Sequence, residues 1–391
     1  MNSAYIIAAR RTPIGKFLGG LSSVAAPQLA AGPIQCVLRD TCLGPEAVDE
    51  VILGNVLSAG VGQAPARQAA LAAGLPSSVA ALTINKVCGS GLKAVMLADQ
   101  AIRAGDARCI VAGGMENMSR APHLLAGVRS GWKFGDRQSI DSMQHDGLWC
   151  PFEDRAMGVS ANYIAEKCDV SRADQDAFAA ESHRRAAAAD FSAEMEAVSY
   201  TGRGKEMVVD RDEGIRPTTT AETLAKLRPA FADDVTTGTV TAGNASQISD
   251  GAAAVLVVSE DVAQSTSAPL KARIVATATS GVEPKDIFIA PVSAIEKVLD
   301  QAGLTLADVD LVELNEAFAA QCLACMRPLG LDHEKTNVNG GAIALGHPIG
   351  ASGARVLVTL LHALQSRGLR RGLASLCLGG GNAVAMIVEI P

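Results

Sequence analysis

The residues best placed to do chemistry are two cysteines and a histidine, each set among glycines. Cys88 lies in Thr83-Ile84-Asn85-Lys86-Val87-Cys88-Gly89-Ser90-Gly91, where an apolar segment ends, glycines turn the chain and an apolar helix begins. A cysteine before a helix N-terminus faces the positive end of the helix dipole, which favours thiolate, and the glycines leave the sulfur reachable. That is a setting for a nucleophile. His347 sits in Asn339-Gly340-Gly341-Ala342-Ile343-Ala344-Leu345-Gly346-His347-Pro348, a run without a single acidic or basic side chain beside the ring. Apolar surroundings disfavour the charged imidazolium, and a neutral imidazole can accept a proton from a nucleophile. Cys377 closes a third apolar run and is followed by Gly379-Gly380-Gly381, whose backbone N–H groups can meet a developing oxyanion.

These three segments need elements that hold them. Residues 26–56 read as a helix, a Leu43-Gly44 break and a strand ending at Asn55; residues 290–315 repeat that order through a Gly303-Leu304 break to Asn315. A second pair of units follows. Gly91 opens an apolar helix that runs to Gly105 and gives the strand Cys109–Gly114, while Gly353 opens one that runs to Gly368 and gives Leu373–Gly381. Helices apolar all round are buried, and continuous apolar strands are covered on both faces. The pattern predicts two duplicated α/β halves whose buried helices meet in a central layer. Between them, residues 119–241 carry Trp132, Trp149 and many charges, with a helix expected over 171–196 capped by Ser171. This part is expected to fold over the mouth of the halves. The predicted division is 1–118 with 242–268 for the first half, 119–241 for the insertion, and 269–391 for the second half.

Composition narrows the remaining choices. The 391-residue chain is 48% hydrophobic but only 3% aromatic, which suits tight helix-on-sheet packing. A formal net charge of −7 without a basic run argues against nucleic-acid binding. No apolar stretch approaches the ~20 residues of a membrane span, and the apolar run near Met1 is too short for a signal peptide. Nine irregularly spaced cysteines do not form a disulfide framework. Cys322 and Cys325 stand alone as a Cys-x-x-Cys pair, short of the ligands a zinc site needs, so no metal is expected. A reducing cytoplasm follows as the expected location.

Cys88-Gly89-Ser90-Gly91, Asn315-Glu316-Ala317-Phe318, the Asn339–Pro348 run with Gly350-Ala351-Ser352-Gly353, and Cys377-Leu378-Gly379-Gly380-Gly381 together resemble the four signature blocks of the thiolase family. The resemblance spans the chain from Arg11-Thr12-Pro13-Ile14-Gly15 to the last strand. It implies the thiolase fold, a five-layered α-β-α-β-α core of two related halves plus a loop domain. It also implies a Claisen condensation of coenzyme A thioesters, or the reverse cleavage, of the acetyl-CoA C-acetyltransferase type. Coenzyme A and acetyl-CoA would be substrates, with no permanently bound cofactor, and the protein a homodimer or homotetramer. Carried over, Cys88 would take the acyl group and His347 its proton. Cys377 would serve as acid and base at the α-carbon. Asn315 would hold a water that, with His347, stabilises the enolate. The N–H groups of Cys88 and Gly379 would form a second oxyanion hole. Met157, Arg216 and Ser246 match positions that touch coenzyme A.

Two departures bear on the acyl pocket. Ala156 stands where many short-chain members place a histidine, and Ile287-Phe288-Ile289-Ala290-Pro291 replaces a methionine with Gly-x-Gly-Pro. They admit a second expectation, a broader 3-ketoacyl-CoA thiolase of β-oxidation. A third, an acyl-CoA or lipid carrier without turnover, would require a lost catalytic group, and none is missing.

Overall fold

The computed structural model describes residues 3–202, 204–231 and 238–391. The first half runs β1 (Ala4–Arg11), α1 (Ala26–Thr41), β2 (Glu50–Gly54), α2 (Pro65–Ala72), β3 (Ala80–Ile84), α3 (Ser90–Ala104) and β4 (Cys109–Asn117). The middle of the chain supplies α4 (Met157–Lys167), α5 (Arg172–Ala188) and a hairpin of β5 (Val198–Gly202) and β6 (Lys205–Val209). β7 (Ser249–Ser259) then completes the first sheet. The second half follows as β8 (Ala272–Gly281), α6 (Ala290–Ala302), β9 (Leu311–Leu314), α7 (Ala319–Leu329), α8 (Ile349–Arg367), β10 (Arg371–Leu378) and β11 (Asn382–Glu389).

The strand order is β9-β10-β11-β8-β1-β7-β4-β2-β3. The two half-sheets share a seam at which β1 pairs with β8 over only Tyr5↔Arg273 and Ile6↔Ala272. So short a seam lets the sheets fold round a layer set between them. That layer is α3 and α8, which share one core with inward residues of both sheets, such as Ile52, Ile110, Leu376 and Val388. Helices α1 and α2 cover the outer face of the first sheet, and α6 and α7 that of the second. The duplicated, five-layered architecture expected from the sequence is present. Helix α5 keeps its Ser171 cap, whose hydroxyl accepts from Asp174 N at 3.1 Å, but stops at Ala188 and not at 196. Among the described residues no helix is long and apolar enough to cross a membrane.

The central pair explains two glycines. A Cβ on Gly91 would lie 2.6 Å from the backbone nitrogen of Ala354, and one on Gly353 would lie 2.3 Å from that of Leu92. The helices therefore meet backbone to backbone. Each reacting loop ends two residues before one of them, Cys88 before Ser90 and His347 before Ile349. The contact that joins the halves thus sets the spacing of the site. Gly91→Ala is expected to destabilise the protein by about 1–3 kcal/mol through overpacking. Turnover should fall with it, measured as thermal midpoint and specific activity of the same preparation.

Candidate active site

The Cys88 loop is held from within. Ser90 Oγ accepts from Lys86 N at 2.8 Å and donates to Val87 O at 2.6 Å, and Asn85 Oδ1 accepts from Val87 N at 2.9 Å. Val87 is left with a φ of 47°, a left-handed conformation that a β-branched residue adopts only under constraint. The turn presents Cys88 to a small inner cavity of about 60 Å³. His347, Cys377 and Gly379 line the same cavity, so four of the five expected catalytic residues come together. Asn315 is not among the lining residues; it lies buried at the end of β9, and its Nδ2 has no hydrogen-bond partner among the described residues.

The sulfur of Cys88 does not behave as its helix suggests. The N–H groups of Cys88 and Gly379 face the sulfur and favour thiolate, but burial outweighs them and pushes the thiol up to about 12. The pull of the helix terminus toward thiolate is thus outweighed at this half-buried cysteine. Burial also lifts Cys377 well above the ordinary thiol range. The imidazole of His347 is held down to about 3, first by burial and then by the charge of Arg355. The neutral histidine expected from its apolar segment is what the fold provides.

The base is also aimed. His347 Nδ1 lies 2.6 Å from Ser352 Oγ, which lies 2.9 Å from Pro348 O. Ser352 has one proton, and the carbonyl can only accept. The arrangement that satisfies both contacts has Nδ1–H donating to Ser352 Oγ and Ser352 donating to Pro348 O. Nε2 is then the unprotonated nitrogen, buried and without a partner among the described residues. The sequence presents Ser352 only as part of a motif; its place five residues after His347, in the first turn of α8, is the available signal.

Glu116 is a second residue that sequence reasoning missed, and it has no local signal. From the end of β4 its carboxylate accepts from Val56 N, Leu57 N and Gly350 N at 3.0, 3.2 and 3.0 Å, and from Asn55 Nδ2 at 2.8 Å. It ties a loop of the first half to the first turn of α8, and burial moves it up to about 7.

The inner cavity adjoins an outer one of about 580 Å³, and Leu148, Met157, Ser246, Phe318, His347 and Ile349 line both. Arg216 lines only the outer one, exposed, with its N–H donating to His183 Nδ1 at 3.1 Å and its Nη2 3.4 Å from Gln247 Oε1. The two departures separate here. Ile287 lines the inner cavity beside Phe288, whereas Ala156 lines only the outer one. The side chain at 156 therefore widens the approach and leaves the floor of the site unchanged.

The sequence and the fold that carry this site are shared by known proteins. Family models for the thiolase N-terminal domain and the thiolase C-terminal domain match residues 4–261 and 268–390. The chain belongs to the thiolase family. It is 54% identical over 391 residues to an acetyl-CoA acetyltransferase of Pseudomonas aeruginosa, covering 99% of each chain. It is 50% identical over 394 residues to a probable acetyl-CoA acyltransferase of Staphylococcus aureus, covering 100% of this chain and 99% of the other. The crystal structure of the Bacillus anthracis acetyl-CoA acetyltransferase superposes with a TM-score of 0.97 at 42% identity, over 100% of this chain and 99% of that one. The fold is accordingly the thiolase fold.

Proposed function

We propose that the chain is an acetyl-CoA C-acetyltransferase that makes and cleaves acetoacetyl-CoA through acetyl-Cys88. The observation that carries this reading is one cavity lined by Cys88, His347, Cys377 and Gly379, in which burial raises both thiols and lowers the imidazole. Those shifts suit the cleavage direction. Cys88 passes its proton to Nε2 of His347 and attacks the 3-keto carbon, with the oxygen received by the N–H groups of Cys88 and Gly379. The C2–C3 bond breaks, and the leaving enolate takes the Cys377 proton at C2 while His347 and a water held by Asn315 steady its oxygen. A coenzyme A thiol then reprotonates Cys377, and its sulfur attacks acetyl-Cys88. The Cys88 thiolate regains its proton from His347. Two acetyl-CoA leave, and the reverse sequence is the condensation.

Met157 and Ser246, shared by both cavities, and Arg216 at the outer one are the residues read as gripping coenzyme A, within the inserted segment 119–241 and the start of the returning chain. Arginine suits phosphate or adenine there. The inner cavity, closed by buried Ile287 and Phe288, favours an acetyl group over a long acyl chain. Free cysteines throughout the chain fit a reducing cytoplasm.

Incubation with acetyl-CoA followed by mass spectrometry of the Cys88 peptide is expected to show the acetyl adduct. Rates on 3-ketoacyl-CoA substrates are expected to fall beyond four carbons. An unmodified Cys88, or a Cys88→Ala protein that still cleaves acetoacetyl-CoA, would overturn the mechanism; equal rates on long chains would overturn the specificity.

A further inference from the structure

Arg355 is buried in the second turn of α8, 2% exposed. Its Nη2 lies 3.5 Å from Asn315 Oδ1 and its Nη1 3.6 Å from Glu313 Oε2. Neither Nε nor Nη1 has a hydrogen-bond partner among the described residues. A buried guanidinium with unfilled donors is destabilising, and an apolar side chain of similar volume would fill this space at less cost. Its retention in the core asks for a role.

The role lies in what it touches. The two ends of an asparagine amide are nearly alike in shape but opposite in hydrogen-bonding character. A cation at 3.5 Å attracts only the oxygen end. With Oδ1 turned to Arg355, Nδ2 points away from it, and Nδ2 is the atom that lacks a partner. The backbone of Asn315 is already fixed: its N–H donates to Ser375 O at 3.0 Å, and its carbonyl accepts from Cys322 Sγ at 3.6 Å. What remains free is the flip of the amide.

We propose that Arg355 is a positioning residue whose charge holds the Asn315 amide with Nδ2 as the donor on the enolate side, so that it acts on carbon–carbon bond making and breaking through Asn315. This rests on the reading of Asn315 given above. A structural arginine and a positioning arginine differ in two readouts. A positioning role makes the loss depend on Asn315, and it spares acetyl transfer to Cys88, which forms no enolate.

The test is a double-mutant cycle on the full-length enzyme. It follows acetoacetyl-CoA cleavage and, separately, coenzyme A release during acetylation of Cys88. Arg355→Met is expected to slow cleavage about 10–100-fold when Asn315 is present and by less than about 2-fold in an Asn315→Ala background. Acetylation should change by less than about 3-fold in either. Should Arg355→Met lower the thermal midpoint, Arg355→Met/Glu313→Gln, which removes both ionisable members of the pair, takes its place with the same expectation. Equal losses in both backgrounds, or a parallel loss of acetylation, would overturn the proposal alone. An Asn315→Ala enzyme with unchanged cleavage would overturn the role of Asn315 and the proposal with it. Absence of any acetyl-Cys88 in the parent would instead strike the proposed activity.

Discussion

His347→Ala is expected to slow acetylation of Cys88 by about 10²–10⁴-fold, the span of a positioned general base, while the fold stays intact. The reason is the competition at Cys88 between two facing N–H groups and burial, which burial wins, leaving the thiol near 12. At neutral pH almost no thiolate exists without a base. The two enzymes should also differ in pH dependence. In the wild type the reactive pair is a neutral imidazole, present above about 3, and a thiol, present below about 12. Acetylation limited by this pair should be flat between about pH 5 and 9. In His347→Ala only the thiolate reacts, so the rate should climb about tenfold per pH unit over that range. Rapid-mixing measurement of coenzyme A release across pH decides the matter; a flat profile in the variant would refute the assignment. Stability carries a related sign. A histidine whose folded pKa is depressed adds stability above its unfolded pKa of about 6.5, and that stability is lost as the pH falls from there toward 3. The alanine variant should lose less stability over that window.

Cys377→Ala should separate the two halves of the reaction. Acetyl-CoA is expected to acetylate Cys88 at close to the wild-type rate, because the Cys88–His347 pair is untouched. Acetoacetyl-CoA cleavage should fall about 10²–10⁴-fold, because the leaving enolate has lost its acid. The adduct should then accumulate, since condensation with a second acetyl-CoA needs the same thiol. Intact-protein mass spectrometry and a steady-state cleavage assay on one preparation read both effects. A variant that cleaves at the wild-type rate would remove Cys377 from the mechanism; one that also fails to acetylate would assign it a structural part at Cys88. Cys377 is buried and neighbours Cys88 and Cys325, so thermal unfolding should accompany the assay.

Cys88 and Cys377 were legible as chemical candidates because each stands at a strand-to-helix or strand-to-glycine junction, and His347 because it just precedes the apolar helix that the duplication repeats. The layers were legible for the same reason: apolar helices at Gly91 and Gly353 have nowhere to go but the interior. The groups that tune the site were not. Glu116 reaches Gly350 across 234 residues of sequence, and no local pattern announces that Arg355, in the middle of an apolar helix, faces Asn315. The upward pull on the Cys88 thiol was not legible, because a helix terminus is visible in a sequence and the surroundings of one atom are not. At Ala156 the departure pointed to the acyl end, and the chain's path instead carries that side chain to the outer cavity.

The backbone contact of α3 with α8 at Gly91 and Gly353 bears on how such a site can arise. The two helices occupy equivalent places in the two halves, and each is preceded by its reacting side chain two residues upstream. Two identical halves meeting through that contact would place the same residue at both positions, either a pair of thiols or a pair of imidazoles. Neither pair can transfer a proton from a sulfur to a nitrogen. Joining the halves in one chain breaks that equality and lets one loop keep a cysteine while the other keeps a histidine. The asymmetry on which proton transfer depends is a property of the covalent fusion, and the symmetric helix contact is what holds the unequal loops at a fixed distance.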